Sequence, residues 1–259
     1  MIVRGTRRET GPIVSGLPYF YIRGAPPNDT GYFIDGIRVP FLFHIGIGEG
    51  VIHPALVERV ALYPGAPPAA YGGYAGAIVA GKTREPAPTP HGEANLRLFD
   101  AGALVETPFD DGRGTALIAG RYGYPGAILG LITQSVKLSY WDYQARATWR
   151  LTERDSLGIF AFGSHDYLGT VPQQHGGGDP SQSAQSDQVV EQLGSDFHRL
   201  DLRYDQTLER GSRRVPVSWQ SVLALDHEER AADGAGQLRL LPRELEVRGE
   251  LGRDLHAIG

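Results

Sequence analysis

From Tyr140 to Leu151 the side chains alternate strictly between two kinds. Trp141, Tyr143, Ala145, Ala147, Trp149 and Leu151 fall on one face, and Tyr140, Asp142, Gln144, Arg146, Thr148 and Arg150 on the other. A period of two held over this length is a strand signature, because a helix would bring like residues together every three or four positions. A face this rich in both charges calls for water, and a face this free of charge calls for a dry core or lipid. Tryptophans near both ends of the apolar face, with small residues between, fit a lipid-facing surface bounded by two aromatic girdles. Trp141, Tyr143 and Trp149 are therefore candidate lipid-facing residues. The same alternation returns where Leu200, Leu202 and Tyr204 interleave with Arg199, Asp201, Arg203 and Asp205, and again where Leu245, Val247 and Leu251 interleave with Glu244, Glu246, Arg248 and Glu250.

The pattern predicts eight strands: Glu93–Leu98, Gly102–Pro108, Thr115–Tyr124, Trp141–Leu151, Leu157–Asp166, Phe197–Thr207, Val215–Asp226 and Leu238–Leu251, with a ninth beginning near His256. The connections Phe109–Gly114, Thr152–Ser156 and Leu208–Arg214 are short and polar, whereas Pro125–Tyr140, Tyr167–Asp196 and His227–Gln237 are longer. After a first tight hairpin, long and short connections alternate. A transmembrane meander sorts its loops in this way, with short turns on one side and longer loops on the other. A soluble sandwich has no reason to do so. Thirty-five glycines among 259 residues, about twice the usual share of ~7%, suit a β-rich chain with many turns.

Before these strands the texture differs. Thr83-Arg84-Glu85-Pro86-Ala87-Pro88-Thr89-Pro90 reads as an extended linker, since its prolines lack backbone donors. Upstream of it, strand-like runs such as Gly31–Val39 and Val57–Tyr63 alternate with Gly/Pro turns. Two regions follow, 1–87 and 88–259.

Several classes of function are disfavoured. A net charge of −5 lacks the basic face a nucleic-acid binder needs to displace counterions. The chain has no cysteine, so disulfides, thiolate metal sites and cysteine nucleophiles are ruled out. The eight histidines show no i, i+4 metal pair, and surface or loop positions are expected for them. Gly46-Ile47-Gly48-Glu49-Gly50 misplaces the third glycine of a dinucleotide fingerprint and has no βαβ unit around it. No nucleophile elbow is present. No catalytic residue, metal or cofactor is expected, and an enzyme is not the reading. No run of ~20 apolar residues would make a spanning helix, which leaves a β-barrel open.

Between Tyr21 and Pro86 a set of short pieces occurs in a telling order. They are Tyr21-Ile22-Arg23-Gly24, Tyr32-Phe33-Ile34-Asp35-Gly36-Ile37-Arg38-Val39-Pro40, Pro54-Ala55-Leu56-Val57-Glu58-Arg59-Val60, Tyr63-Pro64-Gly65, Tyr71-Gly72 and Gly76-Ala77-Ile78-Val79. Together they resemble the plug domain of TonB-dependent outer-membrane receptors. The residues make local sense as well. Asp35-Gly36 between two strand runs suits a hairpin turn, and Pro64-Gly65 and Tyr71-Gly72 supply further turns.

The resemblance implies an all-β-dominated fold: a small mixed plug domain followed by an incomplete antiparallel transmembrane β-barrel, about eight strands of 22. It implies that Arg23, Glu58 and Arg59 occupy polar plug positions facing the charged inner wall, although each is equally readable as a solvated strand residue. It implies an apical plug loop around Gly46, Gly48 and Glu49 beneath a vestibule. His175, in the longest predicted loop, is a further ligand-facing candidate. The implied function is energy-coupled uptake of a scarce ligand such as an iron-siderophore, cobalamin or carbohydrate. The implied partners are outer-membrane lipid, the TonB-ExbB-ExbD complex and an unknown small-molecule ligand, and the implied location is the outer membrane of a Gram-negative bacterium. Surface signalling or protein traffic would use the same fold. No signal peptide or TonB box is visible, so a fragment is expected. The rival is a soluble extracellular β-rich binding module, which would bury the apolar face of Trp141–Leu151 against a second sheet.

Overall fold

A computed structural model of the chain describes residues 22, 29–46, 48–71, 73–74, 76–130, 136–170, 190–210, 213–232, 237–240 and 244–252. Arg23, Gly24, Gly72, His175 and the strand expected near His256 lie outside the described residues.

The first sheet is small and mixed. β1 (Gly31–Ile34) and β2 (Ile37–Val39) form a hairpin. Its two turn residues, Asp35 (φ 49°) and Gly36 (φ 82°), both sit in the left-handed region, as a two-residue turn matching strand twist requires. β3 (Val57–Tyr63) runs antiparallel to β4 (Ile78–Thr83), and β4 lies parallel to β1, giving the order β2-β1-β4-β3. β3 carries a bulge between Val57 and Arg59.

The second sheet is an antiparallel meander. It holds β5 (His91–Leu96), β6 (Asp100–Phe109), β7 (Gly114–Gly123), β8 (Val136–Arg150), β9 (Asp155–Thr170), β10 (Val190–Arg210) and β11 (Arg213–Ala232) in sequence order. A one-turn helix, α1 (Pro125–Leu129), lies between β7 and β8. β12 (Gln237–Leu240) and β13 (Glu244–Gly252) both pair with β11. The described strands form an open sheet rather than a closed cylinder.

Seven expected strands are found, each as one strand. The eighth, expected as Leu238–Leu251, is described as two strands, Gln237–Leu240 and Glu244–Gly252. Several strands outrun expectation. β9 and β10 stay paired out to Thr170 and Val190, so both ends of the expected loop Tyr167–Asp196 are strand. Pattern reading stopped where alternation faded, but pairing with a neighbour carries the ladder further.

Register turns the alternation into two surfaces. Across β7 to β10 the rows Tyr122–Trp141–His165–Asp196 and Ile118–Ala145–Ala161–Leu200 line one face. Along β8 that face runs from Trp141 to Trp149, eight steps or roughly 26 Å at ~3.3 Å each, which on a strand tilted by ~40° spans about 20 Å of an apolar band of ~25 Å. Ile118 is 70% exposed and Val105 60%, and among the described residues no second sheet covers them. This is the bare face that a barrel wall presents and a sandwich would hide.

The opposite face corrects an expectation. Tyr140, Asp142 and Gln144, read as solvated, are 5%, 2% and 0% exposed. The segment between β2 and β3 packs on them, so their polar groups are satisfied by protein instead of water. A continuous core crosses the interface, with Ile34, Ile37, Val39, Val51, Ile52 and Leu56 against Leu104, Leu117, Ala119, Phe160, Phe162 and Phe197. A second, smaller core of Phe33, Ile78 and Ala80, with Tyr63, Tyr71 and Tyr74 against it, belongs to the first sheet alone.

A charge placed mid-band separates lipid from water as the medium outside this face. Ile118→Arg is expected to cost about 2–4 kcal/mol in unfolding from lipid vesicles. A change within ±0.5 kcal/mol, normal for a solvated surface position, would show that the face is not in lipid.

Candidate functional site: the interface between plug and wall

The first sheet meets the inner wall at two polar clusters, one at each end of the apolar core. The first lies toward the long loops. The segment after β2 crosses to the wall and makes a tight 3-10 turn, His44–Gly46. Gly48 donates its N–H to the His44 carbonyl at 2.8 Å, and a Cβ at Gly48 would lie 2.9 Å from that oxygen, so the closure requires glycine. His44 is 0% exposed. Its Nδ1 lies 2.7 Å from Asp166 Oδ1 and its Nε2 3.1 Å from Asp142 Oδ2, while its ring stacks on Tyr140. Ionised carboxylates only accept, so both ring nitrogens must carry hydrogen and the side chain is an imidazolium. Burial works against that charge, but the hydrogen bonds and charges of Asp142 and Asp166 outweigh it, and the pKa is raised.

The neighbours complete the cluster. Arg121 from β7 donates Nε to Asp142 Oδ2 at 2.8 Å and Nη2 to the Gly50 carbonyl. Glu49 pairs with Arg97 at 3.0 Å, and Arg97 also approaches Asp100. Ile45, next to His44, has φ 53° and donates its N–H to Asp166 Oδ2 at 3.4 Å. A β-branched residue in that region costs of order 1–3 kcal/mol and persists only where its surroundings hold it. Gln144 donates Nε2 to the Val51 carbonyl and to Asp142, and its Oε1 accepts from His53 N–H.

His53 provides the contrast. It is 2% exposed, and its Nδ1 accepts from the Ala55 N–H, capping the turn Pro54–Leu56. A nitrogen that accepts is unprotonated. Burial pushes this imidazole down, against the opposing pull of Glu93. Two buried histidines nine residues apart thus hold opposite charge states. Both lie in the connection between β2 and β3, within the expected surface or loop positions, but they are buried rather than on the surface: His44 meets carboxylates of distant strands, and His53 caps its own turn.

The second cluster lies toward the short turns. Glu106 of β6 is fully buried and takes Arg84 at 2.7 Å and Arg146 at 3.3 Å. Arg146 also donates to the Arg84 carbonyl at 2.8 Å. Asp35 accepts from Thr83 N–H at 2.9 Å and Thr83 Oγ1 at 2.6 Å, tying the β1–β2 turn to the end of β4. Farther round the wall, Arg199 donates to the Arg38 carbonyl at 2.8 Å and Arg203 to the Asp35 carbonyl at 3.3 Å. An open cleft of about 360 Å³, lined by Asp35, Arg84, Arg146, Trp149, Asp201 and Arg203 among others, separates plug from wall here.

The other sequence candidates scatter. Glu58 pairs with Lys82 at 3.2 Å, both about half exposed, and Arg59 is exposed. Pro64 and Gly65 form the bend after β3, and Tyr71 packs on Phe33. Gly36 completes the hairpin turn, and Gly46 ends the 3-10 turn at the wall. On the outer face Trp141 stacks on His165, Tyr143 OH meets His198 Nδ1 at 3.2 Å, and Trp149 donates to Asp110 at 2.8 Å. Sequence reasoning did not single out His44, Asp142, Asp166, Arg121, Glu106 and Arg146 as a site. Only the density of charge on the inner faces hinted at partners, without identifying them.

Comparison with known proteins places this geometry. Residues 5–79 match the family model described as TonB-dependent Receptor Plug Domain. Curated protein sequences give no match. Among solved structures, a ferric enterobactin receptor (PfeA) mutant from Pseudomonas aeruginosa superposes with a TM-score of 0.55 at 15% identity, over 82% of this chain and 35% of that one. Another PfeA mutant, in complex with enterobactin, gives 0.54 at 14% identity, over 88% and 38%. The chain thus spans little more than a third of the receptors it matches. Residues 5–79 are a TonB-dependent receptor plug domain by their family match, and with the open sheet beside it the chain has the fold of a plug and part of a barrel wall, as in the TonB-dependent receptors.

Proposed function

We propose that this chain serves energy-coupled uptake across a Gram-negative outer membrane, as the plug and adjoining wall of a receptor for a scarce ligand of the iron-siderophore type. The observation that carries the reading is the position of the plug. It covers the charged inner face of a wall whose other face is apolar and bare, which is the position of a stopper in a lumen. Cobalamin or carbohydrate would fit the same architecture. The ligand would meet the loop end, where Gly46, Gly48 and Glu49 lie against the wall and where His175 belongs in the sequence. The TonB-ExbB-ExbD complex would act from the turn end. At each end of the apolar seam the plug is held by hydrogen bonds and ion pairs, which can be broken in sequence by a pull and remade afterwards. The division of the chain into 1–87 as plug and 88–259 as wall is part of this proposal.

The uptake test uses the full-length protein in a strain stripped of its own siderophore receptors. Iron-55 carried by a panel of siderophores is expected to accumulate for at least one of them, and only when TonB is present. Uptake of none, or uptake indifferent to TonB, would overturn the reading.

The turn-end cluster gives a separate expectation. Glu106→Gln leaves the Arg84 and Arg146 guanidiniums facing each other without their shared carboxylate. Breaking a buried pair in this way typically costs about 3–5 kcal/mol. Limited proteolysis should then cut the plug in the folded protein sooner than in the parent, and an unchanged digestion pattern would show that this cluster does not hold it.

A further inference from the structure

We propose that His44 is a proton-operated latch: its imidazolium, clamped between Asp142 and Asp166, holds the apical plug loop on the wall, and loss of that one proton loosens the loop. The inference deepens the uptake reading and rests on it, since a latch has meaning only if the plug moves.

The clamp is two-sided. Each ring nitrogen faces a carboxylate from a different strand, Asp142 of β8 and Asp166 of β9. Remove one proton, and a nitrogen lone pair is turned toward a carboxylate oxygen with no water to intervene, since His44 is fully buried. The charges around it favour the proton. Asp142 and Asp166 face it directly, Glu49 lies on its own loop, and Asp100 of β6 reaches the stacked Tyr140 through its hydroxyl. Among the described residues two guanidiniums, Arg121 of β7 and Arg97 beside β5, stand against these four acids. The imidazolium supplies the third positive charge.

The loop is also held under load. Asp166 fixes both the His44 ring and the N–H of Ile45, whose backbone is in the left-handed region. Releasing the ring removes a tie immediately beside a strained residue, so the loop is biased to relax.

The direction in pH follows from the clamp. The imidazole pKa lies above its ordinary value of 6.5. The latch is therefore fully set below that ordinary value and is lost as pH rises through the raised one.

The chain has no cysteine, so Phe43→Cys, at an exposed position next to His44, accepts a single nitroxide label. With the full-length protein in lipid vesicles, electron paramagnetic resonance is expected to show the label passing from immobile to mobile in one step that lies above the ordinary imidazole value of 6.5. His44→Gln should abolish the step and leave the label mobile throughout. Asp166→Asn, which keeps an oxygen acceptor but removes a charge, should move the step down by about one pH unit. No step in the parent, or a step that persists in His44→Gln, overturns the proposal. If His44→Gln does not fold, an unshifted step in Asp166→Asn overturns it equally. These readouts need no ligand and no TonB, so they stand or fall apart from the uptake assay.

Discussion

A strand that separates two media must satisfy its polar side chains on one side only. That constraint shapes the molecule. The outer face of β7 to β11 carries little that needs a hydrogen bond, while the inner face carries Arg121, Asp142, Gln144, Arg146, Arg199 and Asp201. Left to water these groups would be at ease. Covered by another protein layer, they are stable only if every charge finds its counterpart. Part of the pairing lies within the wall, Arg121 with Asp142, Arg146 with Glu106 and Arg199 with Asp226; the plug completes it with His44, Arg84 and main-chain carbonyls, which fix its position. The apolar seam between the clusters adds burial area, but shape alone would tolerate sliding, whereas a buried ion pair does not.

The two polar clusters hold the plug in different ways. At the turn end, Glu106 is a fixed acid between two permanent cations, and its contribution varies little across physiological pH. At the loop end, His44 stands between two acids, and its charge depends on a proton. A stopper held at one end by permanent charges and at the other by a titratable one has a direction built into its release. The end toward the long loops is the adjustable one.

The sequence disclosed the wall far better than the site. Alternation over Tyr140–Leu151 located β8 and sorted its faces correctly, because side-chain direction in a strand is local geometry. The Asp35-Gly36 turn was legible for the same reason. The site was not, since His44 meets carboxylates 98 and 122 residues away. Nothing in the residues flanking His44 marks it as charged, and nothing near His53 marks it as neutral. The state of each ring is decided by whether its partner is a carboxylate from the wall or a backbone N–H from its own turn. The inner face misled for a related reason: charge in a sequence implies solvent only if no second layer arrives, and that layer comes from residues far upstream.

One habit of this interface bears on how such molecules diverge. Arg121, Gln144, Arg146, Arg199 and Arg203 each donate to a main-chain oxygen of the upstream region: those of Gly50, Val51, Arg84, Arg38 and Asp35. A carbonyl is the same whatever side chain is attached to it. The wall therefore grips the contour of the layer upon it more than its lettering, and the side chains of that layer are free to be rewritten while the grip persists.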